Sequence, residues 1–326
     1  MQERADLVLL SGDLVDGDQV YYETAQALAR TLGSIPAPVF IAPGNHDCYA
    51  ARSVYAGTAW PENVHIFKEI TPQGVELPGL NCVVHGAAFT TPQADRSPLL
   101  GFQAPADGKL HLMVLHGDVD GRGRYGPLAR EDIARSGLTY LALGHVHACS
   151  GLQRAGETWW AYPGCPEGRG FDELGEKGVL VVEIEDAANV SARFVPLAGR
   201  RYEILTVDVT KADSPEQALA AALPARAGGD ICRIVLTGER GDTPPDLDGL
   251  ERLAAPLYFA VTLRDHTRAR RQLWERAEEE SLTGLFLREM QTRLEQAGEN
   301  EEERALLEQA VRFGLAALEN GEDCCP

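Results

Sequence analysis

Four short apolar runs in this chain each end, at a glycine turn, in a side chain that can donate a lone pair to a cation. LVLLSGD carries Asp13, PVFIAPGNHD carries Asn45 and His46, LHLMVLHGD carries His116, and YLALGHVH carries His145 and His147. Gly12, Gly44, Gly117 and Gly144 accompany them and allow the backbone to turn sharply beside a site. A lone Gly-Asp or His-Gly pair occurs by chance, and a single buried histidine is more often a hydrogen-bonded core residue than a ligand. GNHD is sharper, and GHVH is sharper still in its company. Four such motifs in this order, each after an apolar run, point to one shared site.

The elements that must position these residues follow from the pattern of runs. Residues 7–10, 38–42, 82–89, 110–115 and 140–144 read as strands, with helices over 19–33, closed by Gly33, and over 128–137, preceded by Pro127. Strands alternating with helices predict an α/β sandwich, in which ligands bind beyond the carboxyl ends of the strands. From Trp159 to Leu197 strand follows strand (TWWAYPG, GVLVVEIE, VSARFVPL), which predicts a second, more antiparallel sheet packed on the first. The pattern changes at LAGRRYEILTVDVT, so residues 1–199 read as one domain and 200–326 as a smaller α/β accessory domain with an acidic helical tail. That second part predicts helices at 214–223 and 246–254, strands at 234–238 and 257–265, and two closing helices at 281–297 and 301–319.

The chain has 326 residues, with 30 basic and 49 acidic ones and a net charge of −19. Such a balance argues against wide, nonspecific contact with a phosphate backbone, although metal ions can carry the positive charge locally. From Glu275 to Pro326 there are 14 acidic and 5 basic residues, most simply a solvated helical face. No apolar run is long enough for a membrane span, and MQERADLVLL has no signal-peptide pattern. The seven scattered cysteines contain no CxxC pair and read as reduced thiols of a cytoplasmic protein.

The motif set resembles that of the calcineurin-like metallophosphoesterases, whose pattern is D-x-H, then GD, GNH[DE], H and GHxH. The resemblance implies a four-layer α/β/β/α sandwich and a centre of two divalent metal ions. Asp13 is expected to bridge the ions, with Asn45, His116 and His145 completing one and His147 binding the other. His46 is expected to face the scissile phosphate as the catalytic acid rather than as a ligand. The types suit this chemistry: two cations clamp a phosphate and acidify a water, a carboxylate has two oxygens with which to bridge, and a histidine can protonate an alkoxide. Mixed oxygen and nitrogen donors without thiolate favour Mn, with Fe or Zn as alternatives. ADLVLLSGDLVD, VFIAPGNHD, YLALGHVH and YPGCPEGRGFDELGEKGV further resemble SbcD-type DNA-repair exonucleases and their YhaO-like relatives. That likeness covers about residues 1–200. It implies DNA as substrate and an SMC-like, SbcC-type ATPase as partner, and it is compatible with a homodimer.

One family motif is absent. Nothing before Asp13 reads D-x-H, since Asp6 is followed by Leu7 and Val8. The expectation is a truncated sequence with an in-frame Asp-x-His upstream, and a polypeptide that catalyses weakly as it stands. A small-molecule phosphatase or phosphodiesterase, and a non-catalytic subunit with a degenerate metal core, are the competing readings. Asp16 and Asp118 are candidates for holding an imidazole or a water. Arg169 is a candidate for a phosphate contact or for a salt bridge to Asp172 or Glu173. Trp159 and Trp160 read as inter-sheet core, with base stacking as the alternative. His65, His85, His111 and His266 match no motif.

Overall fold

The computed structural model describes residues 4–320 apart from 18–19, 122, 227, 241–242, 270–273 and 299–300. The chain divides into two compact units. The first comprises Met1–Ile204, Ala227–Arg233 and Leu257–Val261, and the second Leu205–Arg226, Ile234–Pro256 and Thr262–Pro326.

Alternation along single strands builds the first unit. Strands β1 (Val8–Leu10), β2 (Val39–Ile41) and β3 (Val64–Ile66) form a parallel sheet in that order. Successive side chains of a strand point to opposite faces, and β2 uses both. Val39 and Ile41 pack with Ala25 and Leu32 of helix α1 (Tyr22–Gly33). Phe40 and Ala42 face the other way, into a cluster with Val84, Leu112, Val114 and Ala142.

Those partners belong to a six-stranded sheet. Its members are β4 (Gln73–Leu77), β5 (Cys82–Gly86), β6 (Leu110–His116), β9 (Tyr140–Gly144), β10 (Gln153–Ala155) and β11 (Thr158–Ala161), in the order β10-β11-β9-β6-β5-β4. Between β6 and β9 lie the two-residue strands β7 (Asp118–Val119) and β8 (Pro127–Leu128). The same alternation recurs in β6: Leu112 and Val114 turn to the first sheet, while Met113 and Leu115 pack with Ile133 of α3 (Arg130–Arg135). The layers therefore run α1, sheet, sheet, α3, the anticipated α/β/β/α arrangement. Fully burying one large aliphatic side chain of this kind stabilises by about 1.5–3 kcal/mol, so the two sheets are held chiefly by this shared apolar seam.

Several expectations need correction. Residues 159–197 do not form a sheet of their own. Strand β11 joins β9 in parallel, and only β12 (Gly178–Ile184) and β13 (Val190–Pro196) pair antiparallel with each other. Trp159 alone of the two tryptophans lies against the inter-sheet cluster, because Trp160 points to the opposite face, toward α3. The helix expected at 128–137 is shorter, since Pro127–Leu128 pair with β7 and Ala129 stays extended before the first turn. Helix α1 starts at Tyr22, and residue 19 of its anticipated range lies outside the described ones.

The remaining strands and helices are β14 (Tyr202–Asp208), β15 (Ile231–Thr237) and β17 (Ala260–Asp265) in one sheet, the short pair β16 (Glu239–Arg240) and β18 (Arg268–Ala269), and helices α4 (Pro215–Ala222), α5 (Leu247–Ala254), α6 (Leu282–Gln296) and α7 (Glu301–Asn320). Among the described residues no helix is long and apolar enough to cross a membrane. Cys48, Cys82, Cys149, Cys165 and Cys232 form no disulfide, and Cys324 and Cys325 lie outside the described residues.

Candidate active site

Every candidate residue ends or follows a strand, and the loops after β1, β2, β6 and β9 meet. Gly12 (φ 82°) and Asp13 (φ 54°) turn the chain through the left-handed region directly after β1. Aspartate tolerates that conformation better than most residues. The buried carboxylate of Asp47 fixes the turn from the next motif. Its Oδ1 accepts from the backbone N–H of Asp13 (3.1 Å) and Gly44 (2.7 Å), and its Oδ2 from the N–H of Leu14 (2.7 Å) and the Tyr55 hydroxyl (2.5 Å). Burial, followed by the Asp47 carboxylate, pushes the Tyr55 phenol far above its usual range, so it remains a donor. Gly44 is needed for closeness: a Cβ there would collide with Asp13 Oδ1 and lie 2.8 Å from His116 Nδ1.

Three lone-pair atoms converge at this junction. The Nδ1–H of His116 donates to the Ser11 carbonyl at 2.8 Å, and since that carbonyl can only accept, the proton of the neutral ring sits on Nδ1. Burial lowers the His116 pKa, outweighing the nearby Asp13 carboxylate. Its Nε2 is then bare. It faces Asn45 Oδ1 at 2.8 Å and Asp13 Oδ2 at 3.3 Å. Neighbouring donors on one ion with bonds of about 2.1 Å stand roughly 3.0 Å apart in octahedral and 3.4 Å apart in tetrahedral geometry. The observed separations match, so these residues fit a divalent cation. The His145 ring is edge-on to His116 with centroids 5.3 Å apart, and its φ of 103° is unfavourable for a side-chain-bearing residue.

His46 and His147 stand outside this trio. The backbone N–H of His46 donates to Asp13 Oδ1 at 2.9 Å, and its Nδ1 pairs with Asp16 Oδ1 at 2.8 Å, leaving Nε2 uncommitted on a half-exposed ring. His147 Nδ1 pairs at 2.6 Å with Glu173, a buried carboxylate whose other oxygen accepts from the Arg169 backbone N–H at 2.7 Å. The Lys177 ammonium donates to the His147 carbonyl at 3.0 Å. Both imidazoles therefore have a carboxylate that sets the tautomer and the ring orientation.

The structure thus brings Asp13, Asn45, His116 and His145 together, joins His46 to Asp13 through the backbone, and holds His147 by Glu173. Among the described residues no hydrogen bond links His147 to the other four. Nor do three or more His, Cys, Asp and Glu side chains by themselves form a metal-holding group; the converging set includes the carboxamide of Asn45.

Sequence reasoning missed Asp47, and it named Glu173 only as a partner for Arg169 and not for His147. The first was readable as the last letter of GNHD. The second carried no signal, because its partner lies 26 positions away. Arg169 makes neither of its two anticipated salt bridges with its side chain: the guanidinium stands 3.7 Å from Asp16, and only its backbone meets Glu173.

The family described as calcineurin-like phosphoesterase matches residues 1–149. The chain is 28% identical over 221 residues to the uncharacterized metallophosphoesterase YhaO of Bacillus subtilis, covering 65% of this chain and 53% of that protein. It therefore spans about half the length of that relative. To the DNA double-strand break repair protein Mre11 of Aeropyrum pernix it is 25% identical over 326 aligned positions, covering 79% of each chain. Four strand-end motifs converge on one junction, and the match to the calcineurin-like phosphoesterase family, over residues 1–149, runs through the last of them.

Proposed function

We infer that the protein is a metal-dependent phosphodiester hydrolase acting on DNA. The observation that carries this reading is the meeting of Asp13 Oδ2, Asn45 Oδ1 and His116 Nε2 beside a histidine that is positioned but uncommitted. Asp13, Asn45, His116 and His145 hold one divalent ion in this reading, and Asp13 with His147 the other, manganese being the expected metal. When bound, the ions polarise the phosphoryl oxygens and acidify a water for in-line attack. Asp16, paired with Nδ1, fixes the His46 ring with Nε2 outward, and in its doubly protonated form the ring would give the Nε2 proton to the leaving oxygen, with Asp16 balancing the charge. Glu173 holds the His147 ring with its Nε2 outward. The likeness to Mre11 across most of both chains supports DNA as the substrate, an SMC-like, SbcC-type ATPase as the partner, and residues 200–326 as an accessory region.

A second reading, a phosphodiesterase of small nucleotides, is favoured by the net charge of −19, which repels a polyanion. The test offers the manganese-loaded protein linear DNA, a nucleoside monophosphate and bis-p-nitrophenyl phosphate. Nucleotide release from DNA is expected, falling about 10²–10⁴-fold in His46→Ala with unchanged metal content. Hydrolysis of the monoester alone would sink the DNA reading.

A further inference from the structure

The loop between β11 and β12 meets His147 and Asp16 and is fixed at several points. The Gly178 N–H bonds the Cys165 carbonyl at 3.1 Å, and the Glu173 N–H bonds the Gly170 carbonyl at 3.1 Å. Glu173 grips His147 with one oxygen and the Arg169 backbone with the other. Phe171 is clamped between the edge of Tyr202, centroids 5.2 Å apart, and the guanidinium of Arg233, 3.9 Å above its ring. A loop pinned in this way presents whatever it carries in one place.

It carries Arg169. The guanidinium makes a single long ion pair, Nη1 to Asp16 Oδ2 at 3.7 Å, with both side chains about two-thirds exposed (68% and 64%). An exposed pair of that length contributes little. Asp16 is already engaged through its other oxygen by His46, so Arg169 adds little to it. What remains is a planar fork of N–H donors, matched to phosphate oxygens, on a residue whose backbone N–H is held by a buried carboxylate, in a chain whose net charge is −19. Its place is also telling. From the converging donors the contacts run Asp13, His46, Asp16, Arg169, so the arginine lies one carboxylate further out than the histidine.

Resting on the phosphodiesterase reading, we propose that Arg169 binds a phosphate adjacent to the scissile one and so selects substrates with two or more phosphates, such as oligonucleotides, over those with one. The hydrogen bond from the Arg169 backbone N–H to Glu173 fixes the main chain from which the arginine reaches, which removes the backbone share of the entropy lost on binding. Asp16 acts as its place-holder until the phosphate displaces it.

The test compares two chromogenic esters with the manganese-loaded full chain: the p-nitrophenyl ester of thymidine 5′-phosphate, with one phosphate, and that of trithymidylate, with three. Arg169→Ala is expected to raise KM for the trithymidylate ester about tenfold more than for the mononucleotide ester, and Arg169→Lys to recover part of the difference. An equal change in both KM values overturns the proposal. So does a fall in kcat with a shifted pH–rate profile for both esters, which would mean that Arg169 acts through Asp16 on His46. A second measurement is independent of turnover. Fluorescence anisotropy with labelled phosphorothioate trithymidylate in calcium should show about tenfold weaker binding by Arg169→Ala, and equal binding refutes the proposal. If wild type turns over neither ester, the phosphodiesterase reading has failed, and anisotropy alone decides the role of Arg169.

Discussion

Glu173 illustrates how much a single side chain can organise. Its carboxyl is held below the ordinary range: burial alone would raise it, but the Arg169 backbone N–H, the His147 ring and the charge of Arg169 prevail. It remains an anion that accepts on both oxygens. Removing it in Glu173→Ala leaves the His147 Nδ1–H and the Arg169 N–H without their acceptor. Loss of such an orienting carboxylate weakens metal binding about 10–100-fold, an expected outcome that calorimetric titration with manganese checks. An unchanged affinity would remove His147 from the ligand set. No rule of sequence exposes this pairing. Asp13, Asn45, His116 and His145 were legible because each closes an apolar run beside a glycine; Glu173 sits in a charged loop where Asp172 or Glu176 look equally suitable.

At the scale of elements, neighbouring strands β5 and β6 carry a buried chain of hydrogen bonds. His111 Nε2–H donates to Asp107 at 3.0 Å, and His85 Nε2–H donates to His111 Nδ1 at 2.9 Å. Lys109 faces the same Asp107 at 3.9 Å, and Phe102 covers His85 edge-on. Burial, then the neighbouring His111, pushes the His85 pKa down from 6.5 to about 4. Between those values the unfolded chain takes up a proton that the folded chain refuses, so stability falls as pH drops from 6.5 toward 4. Thermal melts should show this loss, with a shallower slope in His85→Gln. The depressed carboxyl of Asp230, hydrogen-bonded to Arg201, gives way only at lower pH. A melting temperature that is flat from pH 6.5 to 4 in wild type would refute the assignment.

Most strands were readable here from alternating or continuous apolar residues, but Val64–Ile66 is too short to announce itself and Gln73–Leu77 is half polar. Strand partnership was not readable: Thr158–Ala161 reads as a strand without revealing that its neighbour is β9. Pairing depends on register across distant segments, which local composition does not encode.

For the molecule as a whole, the polar junction and the apolar seam between the sheets form one continuous structure. Asp47 stitches the β1 loop to the β2 loop, His116 at the end of β6 bonds back to Ser11, and the Gly117 N–H bonds Gly144 at 3.2 Å. Just behind this rim lie Phe40, Ala42, Val114 and Ala142. Prying the two sheets apart would first require breaking the rim. A guest lodged there binds the closed form and not the opened one, so it taxes every such opening by mass action. Hydrogen exchange should register this as slowed amide exchange on β2, β6 and β9 when manganese is added, reversed by a chelator. A mere surface ion would leave those amides untouched, whereas a resident one acts as a latch for the layers it sits between.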